Sequence, residues 1–109
     1  MTRRLKDNAY ALRILGGASP KKHKNILKHA DKELITCLGE CALNVLKGRV
    51  HLIPSQKKKL SPHKTHLRAL ADKKSTHAKR KQLLIKKGGF LGSLLAPILG
   101  ALGGILFSK

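Results

Sequence analysis

From Asp31 to Gly48 the chain reads DKELITCLGECALNVLKG, with apolar residues at Leu34, Leu38, Cys41 and Val45 and a flank of Ile35, Ala42 and Leu46. That alternating three- and four-residue spacing predicts an amphipathic helix with a wide apolar stripe. Asp31 stands where a cap is wanted and Glu33 lies in the first turn. Lys47 precedes a stop at Gly48. A stripe that wide must be buried against something. The candidates are Ile26, Leu27 and Ala30 before it, and Val50, Leu52, Ile53, Leu60, Leu67 and Leu70 after it.

The surrounding pattern is of shorter helices. Ser19-Pro20 punctuates the chain ahead of KKHKNILKHA, a short helical stretch. IPSQKKKL reads as a turn of helix introduced by Pro54 and capped by Ser55. SPHKTHLRALAD follows, with Pro62 tolerated at a helix start. KSTHAKRKQLLIKK predicts a further helix, capped near Ser75 or Thr76 and stopped by Gly88-Gly89. No strand alternation and no repeat of solenoid length stands out. The fold class expected is all-α: several short helices in a small basic bundle, plus a C-terminal apolar, Gly-rich helix. About 65 residues with so few large apolar groups make a marginal core. A polyanion or self-association would help to hold it.

The chain closes on a different pattern, GGFLGSLLAPILGALGGILF, twenty residues without a charge from Gly88 to Phe107. As a helix this spans about 30 Å, the thickness of a bilayer's hydrocarbon. At 100° per residue, Leu91, Leu94, Leu95, Ile98, Leu99, Leu102, Ile105 and Leu106 fall within an arc of about 140°. With Phe90 and Phe107 they form the face expected to meet a membrane. On the other side Gly88, Gly92, Ala96, Gly100 and Gly104 recur every four residues. Such a ladder lets helix backbones approach closely. Pro97 removes the bond to the Ser93 carbonyl and is expected to bend the helix. Ten large apolar groups at about −0.3 to −0.6 kcal/mol each give an insertion strength of only roughly −3 to −6 kcal/mol. Three readings stay open for this tail: an interfacial, membrane-active helix, a permanent anchor, or a core or oligomerisation helix.

Charge adds the other half of the picture. The 109 residues carry 24 Lys and Arg against five acids, for a net charge of +19. Such an imbalance calls for a polyanion, either nucleic acid or an anionic membrane surface. Twelve of the basic residues lie between Lys57 and Lys87: Lys57, Lys58, Lys59, Lys64, Arg68, Lys73, Lys74, Lys79, Arg80, Lys81, Lys86 and Lys87. Their irregular clusters would decorate several helix faces and do not compose one recognition helix. Phosphate neutralisation without sequence reading is the expected chemistry. A nuclear-localisation stretch or a merely solvated face would have the same composition. Lys predominates over Arg, which disfavours bidentate reading of guanine edges. With only Tyr10, Phe90 and Phe107 as aromatics, base stacking on single strands is also disfavoured.

No catalytic constellation, acid pair or Gly-rich phosphate loop is present, so neither enzymatic activity nor a cofactor is expected. Cys37 and Cys41, four apart on one helix, read as two small buried hydrophobes. A metal or redox role would need ligands beyond His29. AYALRIL is too short and too interrupted by Arg13 for a signal peptide.

Three features stand in one order: a basic leader ending in Gly16-Gly17, a Lys-rich middle, and an apolar tail opened by Gly88-Gly89. This layout resembles the precursors of the adenovirus core protein X (mu) family. It is also similar to the short basic proteins of Maverick/Polinton-type elements and adintoviruses. The resemblance implies a virion or nuclear protein whose basic segment binds and condenses double-stranded DNA. It also implies trimming by a viral cysteine protease that cuts after double-Gly sequences. Ile14-Leu15-Gly16-Gly17 before Ala18 matches that protease's pattern, placing a cut between Gly17 and Ala18. Lys86-Lys87-Gly88-Gly89 departs from it, with Lys86 in the apolar position.

Three segments are therefore expected: a leader, 1–17, open to removal; a basic helical domain, 18–87; and a membrane-active or spanning helix, 88–109. The function expected is non-specific DNA binding with a membrane-interacting tail. The alternative is a tail-anchored or pore-forming protein whose lysines hold anionic headgroups.

Overall fold

The computed structural model describes the backbone of residues 3–106 and the side chains of residues 3–101, residue 20 apart. Among these every regular element is helical. In chain order they are α1 (Arg3–Asp7), α2 (Ala9–Gly17), α3 (Pro20–Lys28), α4 (Lys32–Leu46), α5 (Pro54–Leu60), α6 (Lys64–Ala71), α7 (His77–Lys87) and α8 (Leu91–Leu106). Single 3-10 turns join α5 to α6 and α7 to α8.

Helix α4 forms where its stripe predicts. The Asp31 carboxylate accepts the Leu34 backbone N–H at 2.8 Å, satisfying one of the orphan donors of the first turn. At the other end Gly48 adopts φ +70, the left-handed conformation that glycine enters without a Cβ clash. Arg49 N–H then returns to the Asn44 carbonyl at 2.9 Å. Ser19 caps α3 and Thr76 caps α7. The start of α5 differs from expectation: Pro54 takes the first helical position and Ile53 the cap. The Gln56 side chain, not Ser55, closes the turn by accepting Ile53 N–H at 3.1 Å.

Helix α7 ends at Lys87 with Gly88 as its cap, as expected, but the double glycine does not end helical structure. The pair sits in a 3-10 turn that hands the chain on to α8, so helical structure runs without a break from His77 to Leu106. Pro97 lies buried inside α8.

A single apolar cluster draws on every helix. Its centre is the stripe of α4, with Leu34, Ile35, Cys37, Leu38, Cys41 and Ala42 buried. Helix α6 packs on it through Leu67 and Leu70, and α7 contributes Leu84. The thinness of this middle segment is made good from both chain ends. Leu5, Leu12 and Leu15 from α1 and α2 are fully buried, as are Leu91, Leu94, Leu95 and Ile98 of α8. Helices α2 and α8 pack along each other. Described residues of the leader, the basic middle and the tail all contribute to this cluster. The radius of gyration, 12.8 Å, is that of a compact chain of this length, about 13 Å.

Two glycines set helix separations. A Cβ on Gly39 of α4 would stand 2.9 Å from the Leu70 carbonyl oxygen of α6, and one on Gly16 of α2 would stand 3.4 Å from Leu95 Cβ of α8. At the α7–α8 junction, Phe90 is 1% exposed and lies beside the rings of His63 and His66, with centroids 5.6 and 5.7 Å away. Helix α1 is held by its Arg4, which pairs with Glu33 at 3.1 Å and Glu40 at 2.9 Å on α4.

Candidate nucleic-acid interface

The basic residues singled out from the sequence emerge on consecutive elements. Lys57, Lys58 and Lys59 are exposed on α5 and fan apart, because successive helical residues point 100° from one another. Lys64 and Arg68 are exposed one turn apart on α6, so they share a face. Lys73 and Lys74 occupy the exposed turn before α7, Lys79 its first turn, and Lys86 and Lys87 its last. Cations at a helix C-terminus are favoured by the macrodipole.

None of these ten has an ion-pair partner among the described residues. The segment's one acid, Asp72, is engaged by backbone: its carboxylate accepts Lys74 N–H at 2.9 Å. Glu33 and Glu40 are drawn to Arg4. The positive field of this surface is therefore left unneutralised by the protein.

Arg80 and Lys81 stand apart from the other ten. Both are half-buried. Arg80 donates to the Asp72 carbonyl oxygen and its guanidinium lies against Gly39. Lys81 Nζ donates to the Ala30 carbonyl oxygen at 3.2 Å. These two tie α7 to the turns around it, a structural duty that a count of charges along the sequence does not reveal.

The tail residues expected to meet hydrocarbon meet protein instead, as far as they are described. Phe90, Leu91, Leu94, Leu95 and Ile98 are at most 1% exposed, and Leu99 packs on the same cluster. Leu102, Gly104, Ile105, Leu106 and Phe107 lie outside the residues whose side chains are described. The physical reason is common to both solvents: an apolar stripe is satisfied equally by lipid or by other helices, and here α2, α4 and α5 pack against α8. His77–Ala101 is long and apolar enough to cross a membrane by length and composition, a test that core helices also pass.

At Gly92, Ala96 and Gly100 the small-residue ladder faces outward. Nothing lies within 4 Å of a Cβ built on Gly92 or Gly100, and Ala96 is exposed. Among the described members of the ladder, Gly88 approaches another element: a Cβ on it would stand 3.9 Å from Leu27 Cδ1. The close approach to α8 is made instead by Gly16, from the leader's double glycine.

Gly17 and Ala18, the expected cleavage pair, sit at the corner between α2 and α3. Gly17 is exposed in the last turn of α2, and Ala18 is extended at φ −81, ψ 151. The corner is stitched by Ala18 N–H donating to the Leu15 carbonyl at 3.2 Å, with the His23 ring 2.6 Å from the same oxygen. A protease acting here would meet a helix end that must first unwind.

Four lysines of α3 belong with this surface and were passed over in the sequence. Lys21, Lys22, Lys24 and Lys28 are exposed, and they line a groove of about 1000 Å³ between α3 and α7. The run KKHK carried the signal, but the groove exists only because α3 and α7 pack together. Among the described residues no three of His, Cys, Asp and Glu gather to hold a metal ion. No family model, curated protein or solved structure matches this chain.

Proposed function

We propose that this protein is a small core component of a virion or mobile element that binds and condenses double-stranded DNA without reading its sequence. One observation carries the reading: ten of the twelve basic residues between Lys57 and Lys87 are exposed and have no acidic partner among the described residues. Duplex DNA presents one negative charge per about 1.7 Å of axis, and a cationic surface that displaces its counterions gains affinity without base contacts. Lysines spread over several helix faces suit bridging of more than one duplex, which is what condensation requires. The layout shared with adenovirus core protein X precursors points the same way.

The test is a duplex of mixed sequence titrated with protein at several salt concentrations. Engagement of six to ten phosphates lowers affinity by about 10³–10⁵-fold between 50 and 200 mM salt. Affinity insensitive to salt, or confined to one sequence, overturns the reading.

The length and composition of His77–Ala101 support a second reading, in which the lysines hold anionic headgroups and α8 enters the bilayer. That requires α8 to leave the core and turn Phe90, Leu91, Leu94, Leu95 and Ile98 toward lipid. Flotation of the full chain with phosphatidylserine vesicles, together with absent DNA binding, would favour it.

A further inference from the structure

Helices α3 and α7 run antiparallel. Lys81, near the start of α7, reaches the Ala30 carbonyl just beyond the end of α3, while Gly88 at the far end of α7 lies beside Leu27 and close to His23. The groove between them is lined on the α3 side by Lys21, Lys22, Lys24 and Lys28 with the Asn25 amide among them, and on the α7 side by Lys81 and Gln82 beside the apolar Ala78 and Ile85. Positions 21, 24, 25 and 28 are the successive members of one helical stripe, so the three lysines follow one another along one face of α3. No acid and no aromatic residue lines the groove.

Left empty, this arrangement is electrostatically unfavourable in three ways. Like charges three and four residues apart repel along α3. Lys21 and Lys22 occupy the first turn of α3, where the macrodipole disfavours cations, and no acid offsets them. Lys81 on the facing wall of α7 adds a further positive charge across the groove. Lys81 is held in place by Ala30 and keeps two of its three N–H donors for a ligand. An occupant carrying a row of negative charges relieves all three at once. Lysines without arginine favour point-charge contact with phosphate over bidentate recognition. The lack of an aromatic lining excludes base stacking as the source of affinity.

We propose that this groove seats the phosphodiester backbone of one DNA strand, making α3 and α7 the principal grip on nucleic acid. The proposal rests on the DNA-binding reading and names the part of the surface responsible. The exposed lysines of α5 and α6 then serve as secondary contacts.

The test compares two full-length variants that lose equal charge. One is Lys21→Gln/Lys24→Gln/Lys28→Gln. The other is Lys6→Gln/Lys32→Gln/Lys47→Gln, exposed positions outside both surfaces. Each phosphate contact contributes about 0.9 to the slope of log affinity against log salt. The groove variant is expected to lose two to three from that slope and at least tenfold in affinity at 100 mM salt. The control is expected to lose less than one from the slope. Equal losses in the two variants overturn the groove while leaving DNA binding intact. A wild-type chain that fails to bind duplex at 50 mM salt overturns both. Acylation of lysines in the wild-type protein gives a readout independent of mutant folding. Duplex should lower the reactivity of Lys21, Lys24 and Lys28 severalfold, and unchanged reactivity there overturns the proposal. Binding of inorganic tripolyphosphate in the groove without competition from duplex also overturns it.

Discussion

Gly16 lies so close beneath Leu99 that a Cβ on it would stand 3.3 Å from the Leu99 Cδ1. The neighbour is the end of a flexible side chain, so Gly16→Ala is expected to be nearly neutral: the helix gains about 1 kcal/mol in propensity and loses a comparable amount in the contact. Gly16→Val overpacks the α2–α8 crossing and is expected to cost about 1–3 kcal/mol. Gly39 is less forgiving, because its neighbour at 2.9 Å is a backbone carbonyl. Gly39→Ala should destabilise by about 1–2 kcal/mol despite the better helix former. Thermal unfolding ranks the three, with each kcal/mol moving the midpoint by roughly 4–8 °C.

Gly92 answers the opposite way. Its surroundings are open, so Gly92→Ala removes only the glycine's backbone freedom and should stabilise by about 0.5–1 kcal/mol. A fall in midpoint, or a shift in sedimentation, would show instead that α8 uses its bare backbone to receive another helix.

Both chain ends should prove necessary for folding. Removing residues 88–109 takes away Phe90, Leu91, Leu94, Leu95 and Ile98, each worth about 1.5–3 kcal/mol when buried. That total of roughly 7–15 kcal/mol matches the whole stability of a typical domain. The shortened chain should lose its cooperative transition by circular dichroism, and removal of residues 1–17 should weaken it strongly by exposing the sites of Leu5, Leu12 and Leu15. Phe90→Ala alone is expected to cost about 3–5 kcal/mol. A tail that served only as an appendage would leave the melting curve of the remainder intact.

The two thiols should be silent until the protein unfolds. Hydrogen bonding to Cys37, together with burial, holds the Cys41 thiol well above its ordinary pKa. The folded state therefore keeps a proton that the unfolded state releases once pH passes about 8.5. Its stability declines as pH rises from there toward the raised folded value. At pH 8 a thiol reagent should label neither cysteine in the native protein and both in denaturant. Rapid native labelling would contradict the burial of α4.

The individual helices were legible along the chain because their signals are local. Asp31 and Thr76 cap where a short polar residue precedes an apolar period, and Gly48 ends α4 through a backbone conformation that glycine alone enters freely. The small irregularities were less legible. Gln56 takes over from Ser55 because Pro54 moves the helix start back by one position. Gly88-Gly89 fails to break the rod because neither residue needs a positive φ there.

What the sequence by itself determined is the all-α class, the positions of most helices, the net charge and the sidedness of the last helix, since each follows from residue type and spacing alone. Only the tertiary structure decided what that sidedness is for within the globule. The leucine stripe of α8 is equally content with lipid or with protein, and α2, α4 and α5 pack against that helix. It decided, too, that Arg80 and Lys81 brace α7 while Lys21, Lys24 and Lys28 come to face that helix across a groove. Charge is written residue by residue, but a cleft exists only between helices that have already packed.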